Sequence, residues 1–174
     1  MKVVIRKGFR RSFWPRFRIL CPVIIRKGFG FTIAREFKFS KSSMYDFKDA
    51  DQLDINKLFG FSIGWHHDMS FRFGWRPNKS LDGMDIFVYE YISSVRQSEL
   101  KISTVELDRW YRYEIKYYPT IGYIQYIIRD DVLGRVTEMH PMELPEKKNI
   151  GYRLFLYFGG NRRCPHRMVI YERN

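Results

Sequence analysis

Apolar and polar residues alternate along almost the whole chain. Phe29-Gly-Phe31-Thr-Ile33, Phe37-Lys-Phe39, Phe59-Gly-Phe61-Ser-Ile63-Gly-Trp65 and Phe71-Arg-Phe73-Gly-Trp75 show it most cleanly. Met84 to Ile92, Trp110 to Tyr117, Tyr123 to Ile128, Tyr152 to Phe158 and Met168 to Tyr171 continue it. A period of two turns one side of a strand toward a core and the other toward water. Gly, Pro, Asn and Asp interrupt the pattern at residues 76–83, 119–122, 130–134 and 141–149, where turns belong. Only Ala50 to Leu58 offers a helical turn or two. Roughly ten strands without sustained helix predict an all-β fold, an antiparallel two-sheet β-sandwich. At 174 residues, 18% of them aromatic, the chain can fill one two-layer core.

Charge is concentrated at one end. Residues 1–41 hold twelve Lys and Arg against one acid, Glu36, a net +11. Residues 42–174 hold 19 basic and 18 acidic residues, which leaves them near neutral. A cationic segment of this kind suits an acidic partner: a protein surface, an anionic glycan or nucleic acid. Residues 1–30 read as a basic arm with the first strands, and 31–174 as the sandwich domain. Arg6, Lys7, Arg10, Arg11, Arg16 and Arg18 are the expected docking arm. VVIRKGF (Val3–Phe9) recurs as VIIRKGF (Val23–Phe29), each copy reading as a short strand that ends at a Gly. The apolar stretch after Met1 is too short for a secretory signal, and no run suits a membrane helix. The expectation is therefore synthesis in the cytoplasm without a signal peptide and without membrane insertion.

Two cysteines, Cys21 and Cys164, make no disulfide framework, and buried free thiols are expected. They come together only if the chain's first and last strands pair.

The run DADQLDINKLFGFSIGWHHDMSFRFGWR (Asp49–Arg76), then MDIFVYEY and GYRLFLYFGGNRRCPH, resembles a family of short, largely uncharacterised proteins from Bacteroidetes and their tailed phages. The matching blocks span residues 35–171. The resemblance implies a concanavalin A-like jelly roll, used for glycan binding or as a decoration module on virions. Leu156 stands where the family pattern has Pro, and Cys164 where it has a small residue.

Trp65-His66-His67-Asp68 brings two histidines together, but neighbours in a strand face opposite ways, and zinc needs three or four ligands. Asp49, Asp51 and Asp54 are a weak calcium candidate; no cofactor is expected. A jelly-roll glycosidase needs paired carboxylates. Asp85 and Glu90 are offset by an odd number and fall on opposite faces. The contiguous blocks of jelly-roll polysaccharide lyases are absent, and Cys164 with His166 lacks an orienting partner. A non-enzyme is expected. Sugars stack on aromatic rings and bond to polar side chains, so Trp65, His66, His67, Arg72, Trp75, Arg76, Tyr157, Asn161 and Arg162 are the candidate glycan or subunit contacts.

The sequence reading is thus a non-enzymatic virion structural or decoration protein that docks on an acidic surface, such as other virion subunits, through its basic segment. Its alternative is a lectin-like glycan-binding module. A polysaccharide lyase or glycosidase and a nucleic-acid-binding protein rank below both.

Overall fold

The computed structural model describes residues 1–12, 22–25, 28–130, 134–141 and 150–174. Their strands, in chain order, are β1 (Lys2–Ile5), β2 (Pro22–Ile24), β3 (Phe31–Phe39), β4 (Asn56–Ile63), β5 (Ser70–Pro77), β6 (Gly83–Ile92) and β7 (Val95–Arg96). They continue with β8 (Leu100–Glu106), β9 (Tyr111–Tyr118), β10 (Tyr123–Asp130), β11 (Gly134–Pro141), β12 (Ile150–Leu154) and β13 (Met168–Arg173). A six-stranded sheet runs β1-β13-β3-β9-β10-β11. A seven-stranded sheet runs β2-β12-β4-β5-β6-β7, with β8 also paired to β6. Neighbours pair antiparallel throughout, for instance β1 with β13 and β5 with β6. The all-β two-sheet sandwich expected from the alternation is what forms.

The alternation decides which side chains lie between the sheets. Phe71, Phe73 and Trp75 of β5 point inward and are fully buried, as are Phe61 of β4, Met84 and Ile86 of β6, and Tyr113, Ile115 and Tyr126 of the facing sheet. The Phe73 ring meets Tyr113 and Tyr126 edge-on at 5.2 Å, which stitches the sheets together. Each such side chain contributes about 1.5–3 kcal/mol by leaving water.

The stretch Ala50–Leu58 divides. Ala50–Leu53 forms a 3-10 turn whose first N–H groups are met by Asp49, and Asn56 already begins β4. The expected strand over Tyr152–Phe158 is shorter, ending at Leu154. Tyr157 makes isolated bridges instead, to Lys57 on one side and Arg11 on the other. Gly159-Gly160 is therefore a crossover between sheets, since β12 and β13 belong to different ones. Gly160 has φ +75°, and a Cβ there would meet the Asp54 carboxylate; both features require Gly.

Each copy of the duplicated heptapeptide supplies one edge strand. The first supplies β1, at the edge of one sheet, and the second supplies β2, at the edge of the other. First and last strands do pair, Lys2–Ile5 against Met168–Tyr171. No helix among the described residues is long and apolar enough to cross a membrane.

Candidate functional site

Because Phe71, Phe73 and Trp75 point inward, Ser70, Arg72 and Arg76 point out of the seven-stranded sheet. The same logic turns Phe87, Tyr89 and Tyr91 of β6 outward, away from Met84, Ile86 and Val88. Register then aligns these positions in rows across the strands. Tyr152, Ser62, Ser70 and Tyr91 form one row. Gly60, Arg72 and Tyr89 form the next, and Lys57, Gly74 and Phe87 the third. A Cβ on Gly60 would sit 2.0 Å from the Phe71 carbonyl oxygen and 2.9 Å from Arg72 Cγ, so the bare glycine leaves the room in which the arginine stem lies.

The face is cationic and aromatic. Lys57 Nζ lies 4.5 Å from the Tyr89 ring centre and donates to the Ile55 carbonyl at 2.9 Å. Arg96 covers the same ring at 5.0 Å, and Arg76 covers Phe87 at 4.5 Å. Arg72 Nε and Ser70 Oγ are buried without a hydrogen-bond partner. Among the described residues, neither Lys57 nor Arg72 forms an ion pair with a carboxylate. Burial, reinforced by the charges of Arg72 and Arg96, lowers Lys57 to about 8. Burial lowers Arg72 to about 10, which still leaves it charged at neutral pH. Burial and the neighbouring Tyr91 raise Tyr89 to about 12, so its phenol keeps its proton.

The rim carries the histidines. Tyr152 hydroxyl contacts His66 Nδ1 at 2.6 Å and accepts from the His66 backbone N–H at 3.2 Å. Burial, with Arg72 and His67 nearby, lowers His66 to about 4, so the ring is neutral at working pH. His67 meets the Tyr91 ring edge-on at 5.3 Å. Trp65 beside them is 58% exposed.

Of the expected contact residues, Arg72 sits in the middle of the face, Trp65, His66 and His67 on its rim, and Arg76 and Tyr157 along it. Trp75 does not belong to it: it is 0% exposed, packed between the sheets against Phe39 and Tyr45. Asn161 and Arg162 are occupied elsewhere. The Asn161 backbone N–H donates to Asp54 Oδ2 at 2.9 Å and its side chain to Asp51 Oδ1 at 3.2 Å. Arg162 donates to Asp51 Oδ2 at 2.8 Å and pairs with Asp49. The side-chain bond from Asn161, then Arg162, holds the Asp51 carboxyl below its usual range.

That network bears on the calcium candidate Asp49, Asp51 and Asp54. The carboxylates of Asp49, Asp51 and Asp54 already serve as acceptors for the last corner of the chain, and a cation would have to displace a guanidinium. No group of three His, Cys, Asp or Glu suited to a metal occurs among the described residues. Calcium and EDTA are accordingly expected to leave the melting temperature unchanged in differential scanning fluorimetry; a rise with calcium overturns this assignment.

Part of the basic arm lies among the described residues. Arg10 donates to the carbonyls of Gly160 and Asn161, and Arg11 lies 5.7 Å over the Tyr157 ring. Arg6 and Lys7 are exposed; Arg16 and Arg18 lie outside the described residues. Cys164 is a buried thiol that donates to the His166 main-chain carbonyl at 2.9 Å, and burial raises it to about 11. The His166 ring contacts the Ser42 carbonyl, so the two side chains form no nucleophile–base pair. Cys21 lies outside the described residues. Asp85 faces outward, held by Lys101 at 2.6 Å, while Glu90 points inward at 3% exposure, so they are no glycosidase pair.

Sequence reasoning missed Lys57, Ser70, Tyr89, Tyr91 and Tyr152. The available signal was the polar phase of each strand: Ser70-x-Arg72 and Tyr89-x-Tyr91 each repeat at the period of an outward face.

No family model matches the chain, and no curated protein matches it in sequence. Solved structures do match in shape. The PL-14 alginate lyase from Aplysia kurodai has a TM-score of 0.62 at 14% identity, over 99% of this chain and 80% of that one. A functionally unknown protein from Saccharomyces cerevisiae has a TM-score of 0.52 at 10% identity, over 98% of this chain and 83% of that one. Peanut lectin has a TM-score of 0.46 at 13% identity, over 86% and 73%. The likeness to the alginate lyase shows the fold alone, a two-sheet jelly-roll sandwich.

Proposed function

We propose that the outward face of the seven-stranded sheet binds a uronate-bearing polysaccharide and cleaves it by β-elimination. The observation that carries this is Arg72: a charged side chain with a buried, unbonded Nε, set among Lys57, Tyr89, Tyr91 and Tyr152, with no carboxylate among the described residues to balance it. Uncompensated buried charge is costly, and an anionic ligand would offset that cost. The half-buried Tyr91 and Tyr152 supply ring surface of the kind sugars use, while the Tyr89 ring is covered by Lys57 and Arg96. Of the two leading sequence readings, glycan binding is the better supported, and an alginate lyase shares the fold. A place on a virion is a separate proposal, which the neighbourhood of the gene would test.

The chemistry follows from the arrangement. Arg72 and Lys57 pair with the uronate carboxylate, which makes the adjacent C5–H more acidic. The neutral His66 imidazole on the rim, which contacts the Tyr152 hydroxyl through Nδ1 at 2.6 Å, takes that proton on Nε2. The C5–H electrons form the C4=C5 double bond, the C4–O bond breaks, and the leaving oxygen receives the Tyr152 hydroxyl proton, which the His66 Nδ1–H then replaces.

The test is a panel of uronate polymers and neutral glucans, followed by the absorbance of the unsaturated product and by calorimetry. Unsaturated ends from uronate polymers alone are expected. Binding without unsaturated ends reduces the protein to a binding module, and equal binding of neutral glucans overturns the reading. Affinity is expected to be full below pH 8 and to weaken as pH rises through about 8, where free Lys57 loses its charge. Stability moves the other way. From about 8 up to the ordinary lysine value of 10.5 the unfolded chain binds a proton that the folded one does not, so the fold gains stability as pH rises.

A further inference from the structure

We infer that the basic N-terminal segment is one wall of this same site, and that Arg11 is a substrate-positioning residue within it. The inference rests on the reading that the face binds a uronate polymer.

The segment is tied down rather than extended toward a distant surface. Gly8 N–H donates to the Cys164 carbonyl at 2.8 Å, Cys164 N–H to the Phe9 carbonyl at 3.2 Å, and Phe158 N–H to the Arg10 carbonyl at 2.7 Å. Tyr157 and Lys57 exchange both backbone hydrogen bonds, each at 2.9 Å, while Tyr157 also bridges to Arg11. These bridges prolong the third row of the face. It now runs Arg11, Tyr157, Lys57, Gly74, Phe87, and residues paired across antiparallel strands share one side. Arg11 therefore stands on the same side as Lys57, with the Tyr157 ring between them: its guanidinium is 5.7 Å and the Lys57 ammonium 6.0 Å from the ring centre.

Arg11 is close enough for its charge to act on both Arg72 and His66. Arg10 is spent on the Gly160 and Asn161 carbonyls and serves to fix the segment. The result is a line of cations with an aromatic surface between them, open to solvent at the Arg11 end. A polymer bearing a carboxylate on successive sugars fits this: one uronate meets Arg72 and Lys57, and a further one along the chain meets Arg11 over Tyr157.

The experiment compares Arg11→Gln with Lys7→Gln in the full chain. The two exposed cations lie in one segment, and each substitution removes one charge. For a long uronate polymer, Arg11→Gln is expected to raise KM about tenfold with kcat nearly unchanged and with a shallower salt dependence. Lys7→Gln is expected to do neither, and Arg11→Lys to retain most of the wild-type KM. An equal KM rise in Lys7→Gln, or no rise in Arg11→Gln, overturns the role of Arg11. In either case activity that still depends on Arg72 leaves the proposed function standing. Absence of binding and cleavage of any uronate polymer by the wild-type protein is the failure of that underlying reading instead.

Discussion

Arg72→Gln is expected to lower kcat/KM on a uronate polymer by about 10²–10³-fold, the range seen when one preorganised charge-stabilising donor is removed. The side chain lies over Gly60 with its Nε buried and unbonded. The variant removes a buried charge that no carboxylate among the described residues balances, so the melting temperature should rise and not fall. A second readout distinguishes this from general damage. Arg72 is the leading charged neighbour that lowers Lys57. In the variant the Lys57 ammonium should therefore titrate at higher pH, as followed by nuclear magnetic resonance of the labelled side chain. Unchanged activity, or an unchanged Lys57 titration, contradicts the assignment of Arg72 to the centre of the face.

Trp75→Ala is expected to cost about 3–5 kcal/mol, a large share of the stability of a domain this size. The indole is fully buried, 5.2 Å from the Phe39 ring and 6.4 Å from Tyr45. Its Nε1 has no partner, so Trp75→Phe gives up volume but no hydrogen bond and should cost much less. Trp65→Ala, on the exposed rim, should leave the denaturation midpoint nearly unchanged. Urea denaturation of the three variants separates the tryptophan of the core from that of the rim; similar losses at Trp65 and Trp75 would contradict the placement.

These two tryptophans also show how far the sequence could be read. Both looked alike as ring-bearing residues near polar neighbours. The alternation held the difference, because Phe71, Phe73 and Trp75 share one phase and Arg72 takes the other. The two-sheet all-β class followed from the same pattern and from turn residues, but thirteen strands form among the described residues where roughly ten were expected, and the pairing of the chain's ends was left open. The site did not follow, because it is built across strands rather than along one. Arg72 meets Tyr89, and Ser70 meets Tyr91, only through the β5–β6 register, and Lys57 joins them from β4 past a bulge. A search for contiguous lyase blocks passes over such a set. The acidic turn misled for a related reason: Arg162, which occupies Asp49 and Asp51, arrives from more than a hundred residues later.

The two copies of the repeated heptapeptide emerge early in synthesis, yet both of their strands wait for partners made near the end. β1 needs β13, and β2 needs β12. Tyr157, which carries Arg11, comes equally late. Pairings this distant in sequence make folding slow, and they leave the most cationic part of the chain without its sheet until translation is nearly complete. The Arg11–Tyr157 wall is thus the last part of the candidate site to come into being, after the β4–β6 rows, whose strands pair with their neighbours in sequence.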